Sequence, residues 1–288
     1  MRKPEIDEIT GAETTGHEWD GLKELNKPLP RWWLWVIYVS VIWSIGYWIV
    51  MPAWPLLSGY TKGLIGYSQR EVVTRAVAEA KQAQSVYLEK IAALDLASIK
   101  ADPDLLRFSL AGGAAAFGDN CAPCHGRGAQ GAPGYPNLND DDWLWGGTLN
   151  DIHQTLKVGI RATHSDTRDN AMPAFGRDDI LEPAQIADVT DYVLSISGGD
   201  AKADAAARGK AVFAEQCSAC HGEEGKGNQE LGAPNLTDRL WLYGGSREAI
   251  SDIIRNSRAG VMPAWEGRLS PETLTQLAVY VHSLGGGQ

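Results

Sequence analysis

Four cysteines and two histidines of this 288-residue chain stand in one short pattern that occurs twice. The pattern is Cys-x-x-Cys-His, and its members are Cys121, Cys124 and His125, followed by Cys217, Cys220 and His221. This spacing is the attachment signature of c-type haem, in which both thiols form thioethers to the porphyrin and the histidine faces the iron. Because the two copies use every cysteine, we expect two covalent c-type haems and no disulfide.

Two other kinds of cysteine chemistry account for the pattern less well. Four cysteines can bind zinc, but each pair is followed at once by a histidine, and the two pairs lie far apart in the chain. A thioredoxin-like redox motif belongs in alternating strands and helices, which this sequence does not predict. Haem attachment is therefore the favoured interpretation of both copies.

The two motifs lie within a longer repeat. Each first cysteine follows a glycine and a phenylalanine spaced four apart, and each copy continues with Pro-Asn-Leu, a Trp-Leu-aromatic-Gly-Gly segment and Met-Pro-Ala. Each copy ends in a pattern of apolar residues at helical spacing that includes a tyrosine. The equivalent positions are Gly113 and Gly209, Phe117 and Phe213, Tyr192 and Tyr280. Each unit is thus predicted to contain a first helix, the haem motif, a Gly/Pro-rich loop, a short helix, a methionine loop and a final helix.

One methionine in each repeat is the candidate for the sixth iron ligand. Met172 and Met262 both precede Pro-Ala and stand 42 to 48 residues after the second cysteine of their repeat. If each repeat folds as its own haem domain, Met172 binds the same iron as His125, and Met262 binds the same iron as His221. About six extra residues in the first repeat include His164, which could take the place of Met172; we favour the methionine because of its repeated context.

Histidine–methionine ligation raises a haem's reduction potential and fills both axial positions. Neither iron would then have an open position for a substrate, which predicts an electron carrier rather than a catalyst. The remaining histidines of the repeats, His153 and His282, are expected at the surface. The sequence contains no recognisable Ser/His/Asp triad, phosphate loop or carboxylate pair.

An apolar segment near the N-terminus has the length of a membrane span. Trp32 to Met51 carries no charged residue, and such a segment covers about 30 Å of bilayer as a helix. Tryptophans cluster at both ends, and prolines bracket the segment. A cleaved signal peptide fits poorly, because a polar stretch precedes the segment and no small-residue cleavage site follows it. We expect an uncleaved single-pass anchor.

Haem chemistry sets the expected orientation, because bacteria attach c-type haem on the outer side of the inner membrane. The predicted segments are a cytoplasmic segment 1–30, an anchor 31–55, a periplasmic helical linker 56–104, a first haem domain 105–198, a linker 199–205 and a second haem domain 206–288. The polar segment 1–30 is expected to be solvated or to lie against a partner subunit. One face of the helical linker could likewise dock on a partner.

The repeat layout resembles class I cytochrome c, in which the first and last helices of a domain cross at the glycine and aromatic positions. That resemblance implies an all-α fold with two tandem domains over about 105–198 and 206–288. The N-terminal half narrows the family. Thr14-Thr-Gly-His-Glu-Trp-Asp-Gly21, and then Pro28-Leu-Pro-Arg-Trp-Trp33 running into the span, are similar to the membrane-anchored dihaem subunit of cbb3-type haem–copper oxidases.

By this resemblance the chain would pass electrons from a donor cytochrome c toward the oxidase's monohaem cytochrome c subunit and its catalytic haem–copper subunit. Oxygen is reduced and protons are pumped there, so the chain itself would be non-catalytic. A dihaem cytochrome serving another complex, a dihaem peroxidase and a haem-based gas sensor are the alternatives, and the last two need an open iron position.

Charge adds two expectations about partners. The net charge of −10 disfavours nucleic-acid binding, which needs a basic surface. Residues 105–198 carry 12 acidic and 6 basic side chains, whereas residues 206–288 carry 9 and 8. We therefore expect the first haem domain to face a basic donor cytochrome that is steered by charge.

Overall fold

The computed structural model describes residues 5–287, which fall into two compact units divided in sequence between Gln82 and Ala83. The N-terminal unit contains two short hairpins and a long apolar helix. The C-terminal unit contains both Cys-x-x-Cys-His motifs and is built from helices and loops. The mostly helical architecture confirms the predicted all-α class, with the hairpins as the exception.

The polar N-terminal segment forms a hairpin rather than an irregular tail. Strand β1, Thr14–Trp19, pairs antiparallel with β2, Leu22–Leu25. Asp20 and Gly21 join them and have φ angles of 47° and 83°. A two-residue hairpin turn with positive φ at both positions favours Asp-Gly. This dipeptide was the sequence signal for the hairpin, which composition alone did not predict.

The apolar helix α1 spans Arg31–Val50 and begins after Pro30, as the bracketing prolines predict. Within residues 5–287 it is the one helix long and apolar enough to cross a membrane, with a mean hydropathy of 1.7 over its most apolar window. None of its side chains is buried within the protein. A second hairpin follows, in which β3, Pro55–Leu56, pairs with β4, Gly59–Tyr60.

A long helix, α2, crosses the boundary between the two units and is followed by the helices of the C-terminal unit. In chain order these are α2 Gln69–Ala93, α3 Leu96–Ala101, α4 Pro103–Asn120, α5 Ala122–His125, α6 Leu149–Val158, α7 Pro183–Ile196, α8 Ala203–Gln216, α9 Ser218–His221, α10 Arg247–Asn256 and α11 Pro271–His282. Several begin at a side chain that accepts a backbone N–H, which satisfies donors that a helix start leaves unpaired. These residues are Asp95, Asp102, Thr148, Ser246 and Ser270.

The helices that carry the repeated glycines cross partners from the opposite repeat. Helix α4 packs on α11, and α8 packs on α7. A Cβ on Gly113 would overlap the backbone of Gln276, and one on Gly209 would overlap the backbone of Asp188, so each crossing needs a glycine. The prediction that each repeat closes on its own final helix is therefore wrong.

The aromatic residues also pair between the two repeats. Phe117 packs against Tyr280 with ring centroids 5.5 Å apart, and Tyr192 packs against Phe213 at 5.1 Å. The sequence correctly predicted that glycine and aromatic positions meet at a helix crossing. It paired them within repeats, whereas the structure pairs them between repeats.

The C-terminal unit thus consists of two lobes. The first lobe contains α3 to α6 together with α11, and the second lobe contains α7 to α10. The second lobe is continuous in sequence and is inserted between α6 and α11 of the first. Residues 197–202 explain the arrangement, because a connection this short makes α7 and α8 neighbours in space. The predicted boundaries 105–198 and 206–288 describe sequence repeats, not packing units.

Candidate haem sites

The cysteines of each motif lie at the junction of a long helix and a single helical turn. Cys121 follows α4, and Cys217 follows α8, and each donates its backbone N–H to the phenylalanine carbonyl one turn earlier. Burial raises the pKa of both thiols to about 11. In the first motif Cys121 is buried and Cys124 is exposed, whereas in the second motif Cys217 and Cys220 are both half-buried.

Both motif histidines make the same hydrogen bond. His125 Nδ1 lies 3.0 Å from the carbonyl oxygen of Pro136, and His221 Nδ1 lies 3.0 Å from that of Pro234. A carbonyl can only accept, so Nδ1 carries the proton in each ring and Nε2 is left with its lone pair. Histidines that bind metals are commonly oriented in this way by a second hydrogen bond. The geometry therefore leaves Nε2 of each ring available to an iron.

The protonation of these histidines suits the same role. Burial lowers the pKa of His125 and His221, and the hydrogen bond to the proline carbonyl opposes that shift only in part. A histidine must be neutral to bind a metal. The sequence showed Pro-Asn-Leu as a repeated segment without giving it a task. The structure supplies one, because its proline carbonyl orients the histidine.

A large cavity of about 720 Å³ lies in the second lobe beside its haem motif. Its volume is within the range of about 300–1,000 Å³ that is typical of ligand and cofactor sites. Cys217, Cys220 and His221 line it, and so does Met172. Apolar side chains from α7, α8, α10 and the loop before α10 complete the wall, as a porphyrin requires. These are Val189, Val193, Phe213, Trp241, Ile250 and Ile254.

Met172 belongs to this second site although it comes from the first repeat. It packs on the same apolar cluster as Cys217 and Phe213. Ser257 donates its hydroxyl to the Met172 carbonyl at 2.6 Å, and Phe175 donates its backbone N–H to Ile254 at 3.0 Å. The end of α10 therefore holds the Met172 loop in the second lobe.

Met262 lies in the first lobe and packs on the cluster that contains Cys121. Its backbone exchanges two hydrogen bonds with Ile160, of 2.9 and 3.0 Å. Trp265 donates its backbone N–H to Leu156 at 3.0 Å, which is the counterpart of the Phe175 bond in the other lobe. The predicted pairing is thus reversed: Met262 lies with His125's motif, and Met172 lies with His221's motif.

The two sites share a wall. Pro136, whose carbonyl accepts from His125, also lines the cavity that contains His221. Gly134 of the same loop donates its backbone N–H to the Leu242 carbonyl of the second lobe at 2.8 Å. The surroundings of one histidine are therefore continuous with those of the other.

The remaining histidines occupy other roles. His164 places Nε2 3.0 Å from a carboxylate oxygen of Glu266, and its Nδ1 accepts the backbone N–H of Asp166 at 3.0 Å. Both ring nitrogens are thus engaged away from either motif. His153 is half-buried, and burial lowers its pKa. The prediction of a surface position is wrong for His282, which is buried in α11.

This fold and these motif sites define a class: a protein with tandem cytochrome c domains behind an N-terminal apolar helix. Three family models match the chain. They are the N-terminal domain of cytochrome oxidase-cbb3, FixP, at residues 11–58, cytochrome c at 110–197, and cytochrome c oxidase, cbb3-type, subunit III, at 204–281.

Full-length relatives point to the same family. The cbb3-type cytochrome c oxidase subunit FixP of Bradyrhizobium diazoefficiens is 54% identical, over 99% of this chain and 98% of the relative. Subunit CcoP of Azospirillum brasilense is 52% identical over 100% of both chains, and CcoP of Cereibacter sphaeroides is 50% identical over 96% of this chain and 95% of its own. The chain belongs to the FixP/CcoP family of cbb3-type cytochrome c oxidase subunits.

The resemblance found in the sequence is confirmed. The chain is an electron-transfer subunit of the cbb3-type oxidase complex, and its cytochrome c domains bind c-type haem. Its apolar helix α1 lies within the region that matches the FixP N-terminal domain, in keeping with membrane anchoring.

Proposed function

We propose that this subunit carries electrons through two covalently bound c-type haems, from a donor cytochrome c toward the catalytic haem–copper subunit, and performs no substrate chemistry itself. The observation that supports this most is the cavity that brings Cys217, Cys220, His221 and Met172 together. Each haem would supply one-electron oxidation and reduction of its iron. The protein's part is to attach the haem, fill both axial positions and exclude water.

The proposed ligand sets exchange methionines between the repeats. Cys121 and Cys124 would attach the first haem through thioethers, and His125 and Met262 would bind its iron. Cys217 and Cys220 would attach the second haem, and His221 and Met172 would bind its iron. A thioether ligand favours ferrous iron and raises the potential, which suits a carrier that feeds an oxidase.

The proposed location and partner subunits of this chain follow from its family. We place the haem domains in the periplasm, the segment 1–30 in the cytoplasm and α1 in the bacterial inner membrane, because c-type haem is attached on the outer side of that membrane. The immediate partners would be the monohaem cytochrome c subunit and the catalytic haem–copper subunit, to which oxygen reduction and proton translocation belong. The neighbouring positions of the two haem sites support transfer between the haems within this chain.

A haem count and a carbon monoxide titration test the proposal on the purified full chain in detergent. The alkaline pyridine spectrum should give two c-type haems per chain. The reduced protein should bind no carbon monoxide, because methionine occupies each sixth position. A single haem, or a carbon monoxide-binding c-type haem, would contradict the proposal and would favour a peroxidase-like or sensor-like site.

The donor can be tested by salt dependence. The acidic excess in residues 105–198 supports a basic partner, and steering by charge weakens as ionic strength rises. Reduction of the chain by a basic monohaem cytochrome c should therefore slow by an order of magnitude or more between about 10 and 200 mM salt. An acidic cytochrome c serves as the matched control. Equal rates at both salt concentrations would remove the basic donor from the proposal.

A further inference from the structure

An aromatic residue in each repeat packs on the haem loop of the opposite repeat. Trp145 is the third residue of the Trp-Leu-Trp-Gly-Gly segment in the first repeat, and Tyr243 occupies the equivalent position in the second repeat. A Cβ built on Gly232 would overlap the Trp145 indole. A Cβ on Gly134 would lie 3.4 Å from the Tyr243 ring. Each aromatic ring thus rests on a glycine that follows the other repeat's haem motif.

These glycines belong to the segments that orient the histidines. Gly232 stands two residues before Pro234, whose carbonyl accepts from His221 at 3.0 Å. Gly134 stands two residues before Pro136, which does the same for His125 at 3.0 Å. Each aromatic ring is therefore connected to the other repeat's histidine through a three-residue loop segment and one hydrogen bond.

The extra residues of the first repeat reinforce the Trp145 contact. The guanidinium carbon of Arg168 lies 5.4 Å from the centroid of the Trp145 ring. Asn170 donates its side-chain N–H to the Leu231 carbonyl, next to Gly232, at 2.7 Å. The insertion thus holds both the indole and the loop beneath it. Arg258 lies 5.8 Å from the Tyr243 ring in the corresponding place.

We propose that Trp145 is a positioning residue for the haem of the opposite repeat: through Gly232 and Pro234 it sets the hydrogen bond to His221, and thereby the reduction potential of that haem. This proposal rests on the proposed function. Trp145 is not among the described residues that line the His221 cavity, so its influence runs through the loop. Tyr243 acts on His125 in the same way, although it also lines the second cavity.

The direction of the effect follows from the hydrogen bond. A carbonyl acceptor on Nδ1 raises the basicity of a ligating histidine, and a more basic ligand favours ferric iron. Loosening the loop weakens that hydrogen bond, so the potential of the His221 haem should rise. Loss of an outer partner of a metal-bound histidine typically costs about 10- to 100-fold in metal affinity or activity, which shows that such partners act strongly on the metal.

The test is a redox titration of the full two-haem chain carrying Trp145→Ala. The two midpoints are first assigned with chains in which one cysteine pair is replaced by alanine. We expect at least a tenfold change in the redox equilibrium constant of the His221 haem toward the ferrous form, equal to about 59 mV for one electron. Arg168→Gln, which removes the cation beside the ring together with its contacts to Asp151, should move the same haem in the same direction by less.

Two variants serve as controls. Trp145→Tyr introduces the residue found at the equivalent position of the second repeat and should keep the wild-type midpoint of the His221 haem. Trp143→Ala removes an indole two residues away that packs on the Cys121 cluster, and it should leave the His221 haem unchanged.

An unchanged or lowered midpoint of the His221 haem in both Trp145→Ala and Arg168→Gln would overturn the proposal. So would an equal rise in Trp143→Ala, because that would indicate general loosening. The haem count is measured on every sample. Fewer than two haems in the wild-type chain would instead count against the proposed function, which keeps the two failures distinct.

Discussion

At the residue scale, the proline carbonyls show how a repeated segment with no chemistry of its own can serve a metal site. Pro136 fixes the tautomer of the half-buried His125, and Pro234 fixes that of the buried His221. The sequence predicted the cysteines and histidines because their spacing is specific. It did not predict the acceptors, because a backbone carbonyl is contributed by every residue type and leaves no mark in composition or spacing.

Asp191 offers a stability test at this scale. This buried carboxylate in α7 accepts the backbone N–H of Lys202 at 2.7 Å and pairs with Arg247 at 2.7 Å, which ties α7 to α8 and α10. Burial acts to raise its pKa, but these hydrogen bonds and the arginine lower it overall. Asp191→Ala should lower the free energy of unfolding by about 2–3 kcal/mol near pH 7, measured by urea unfolding of the haem-loaded chain.

The pH dependence of that difference has a defined sign. A carboxyl group whose folded pKa is depressed adds stability above its unfolded pKa and loses it as pH falls through the folded pKa. The gap between wild type and Asp191→Ala should therefore close as pH falls below 3.8, the ordinary aspartate value. Asp252→Ala, which breaks an exposed pair with Arg258, should lower the free energy of unfolding by much less than Asp191→Ala does, because solvent screens exposed ion pairs. A gap that widens in acid would contradict this account.

At the scale of elements, the helix crossings explain both what the repeat predicts and where it misleads. Periodicity predicted the helices, and the resemblance to class I cytochrome c implied that glycine and aromatic positions meet at each crossing. The sequence could not decide between crossings within and between repeats, since the two repeats carry the same pattern. The deciding feature is the short connection 197–202, which makes α7 pack on α8.

A glycine pair in α4 tests the crossing. Gly113 faces α11, where a Cβ would meet the backbone, whereas Gly118 in the same helix has nothing within 4 Å. Gly113→Ala should therefore lower the free energy of unfolding by about 2–3 kcal/mol through overpacking. Gly118→Ala should be neutral or stabilising by up to about 1 kcal/mol, because alanine is the better helix former. Equal effects of the two changes in urea unfolding would argue against a close crossing at Gly113.

At the scale of the whole molecule, the haem region is one folding unit with an insertion. The first lobe begins with α3 and is completed only by α11 at the C-terminus, whereas the second lobe is continuous from the Met172 loop to α10. The sequence predicted two cytochrome c repeats behind an apolar N-terminal helix, and the family models and the structure bear out the repeats and the helix. The sequence could not show that the second lobe is inserted in the first, because tandem and inserted arrangements have the same motifs in the same order.

A truncated chain distinguishes these arrangements. Ending the protein after Arg258 removes Met262 and α11 and leaves the second lobe intact. The haem on Cys217 and Cys220 should stay closed to carbon monoxide, while the haem on Cys121 and Cys124 should bind it or fail to be retained. Repeats that close on themselves predict the opposite, with the second haem opened. Carbon monoxide difference spectra of chains that retain one cysteine pair identify the haem that responds.

The exchange of methionines between the repeats is the central claim, and a redox titration of single-haem chains tests it most directly. Cys121 and Cys124 are replaced by alanine, so that only the haem on Cys217 and Cys220 remains, and each methionine is then changed to histidine. Met172→His should lower the midpoint by more than about 59 mV, a tenfold change for one electron, while Met262→His should leave it unchanged. A drop with Met262→His and none with Met172→His would contradict the account.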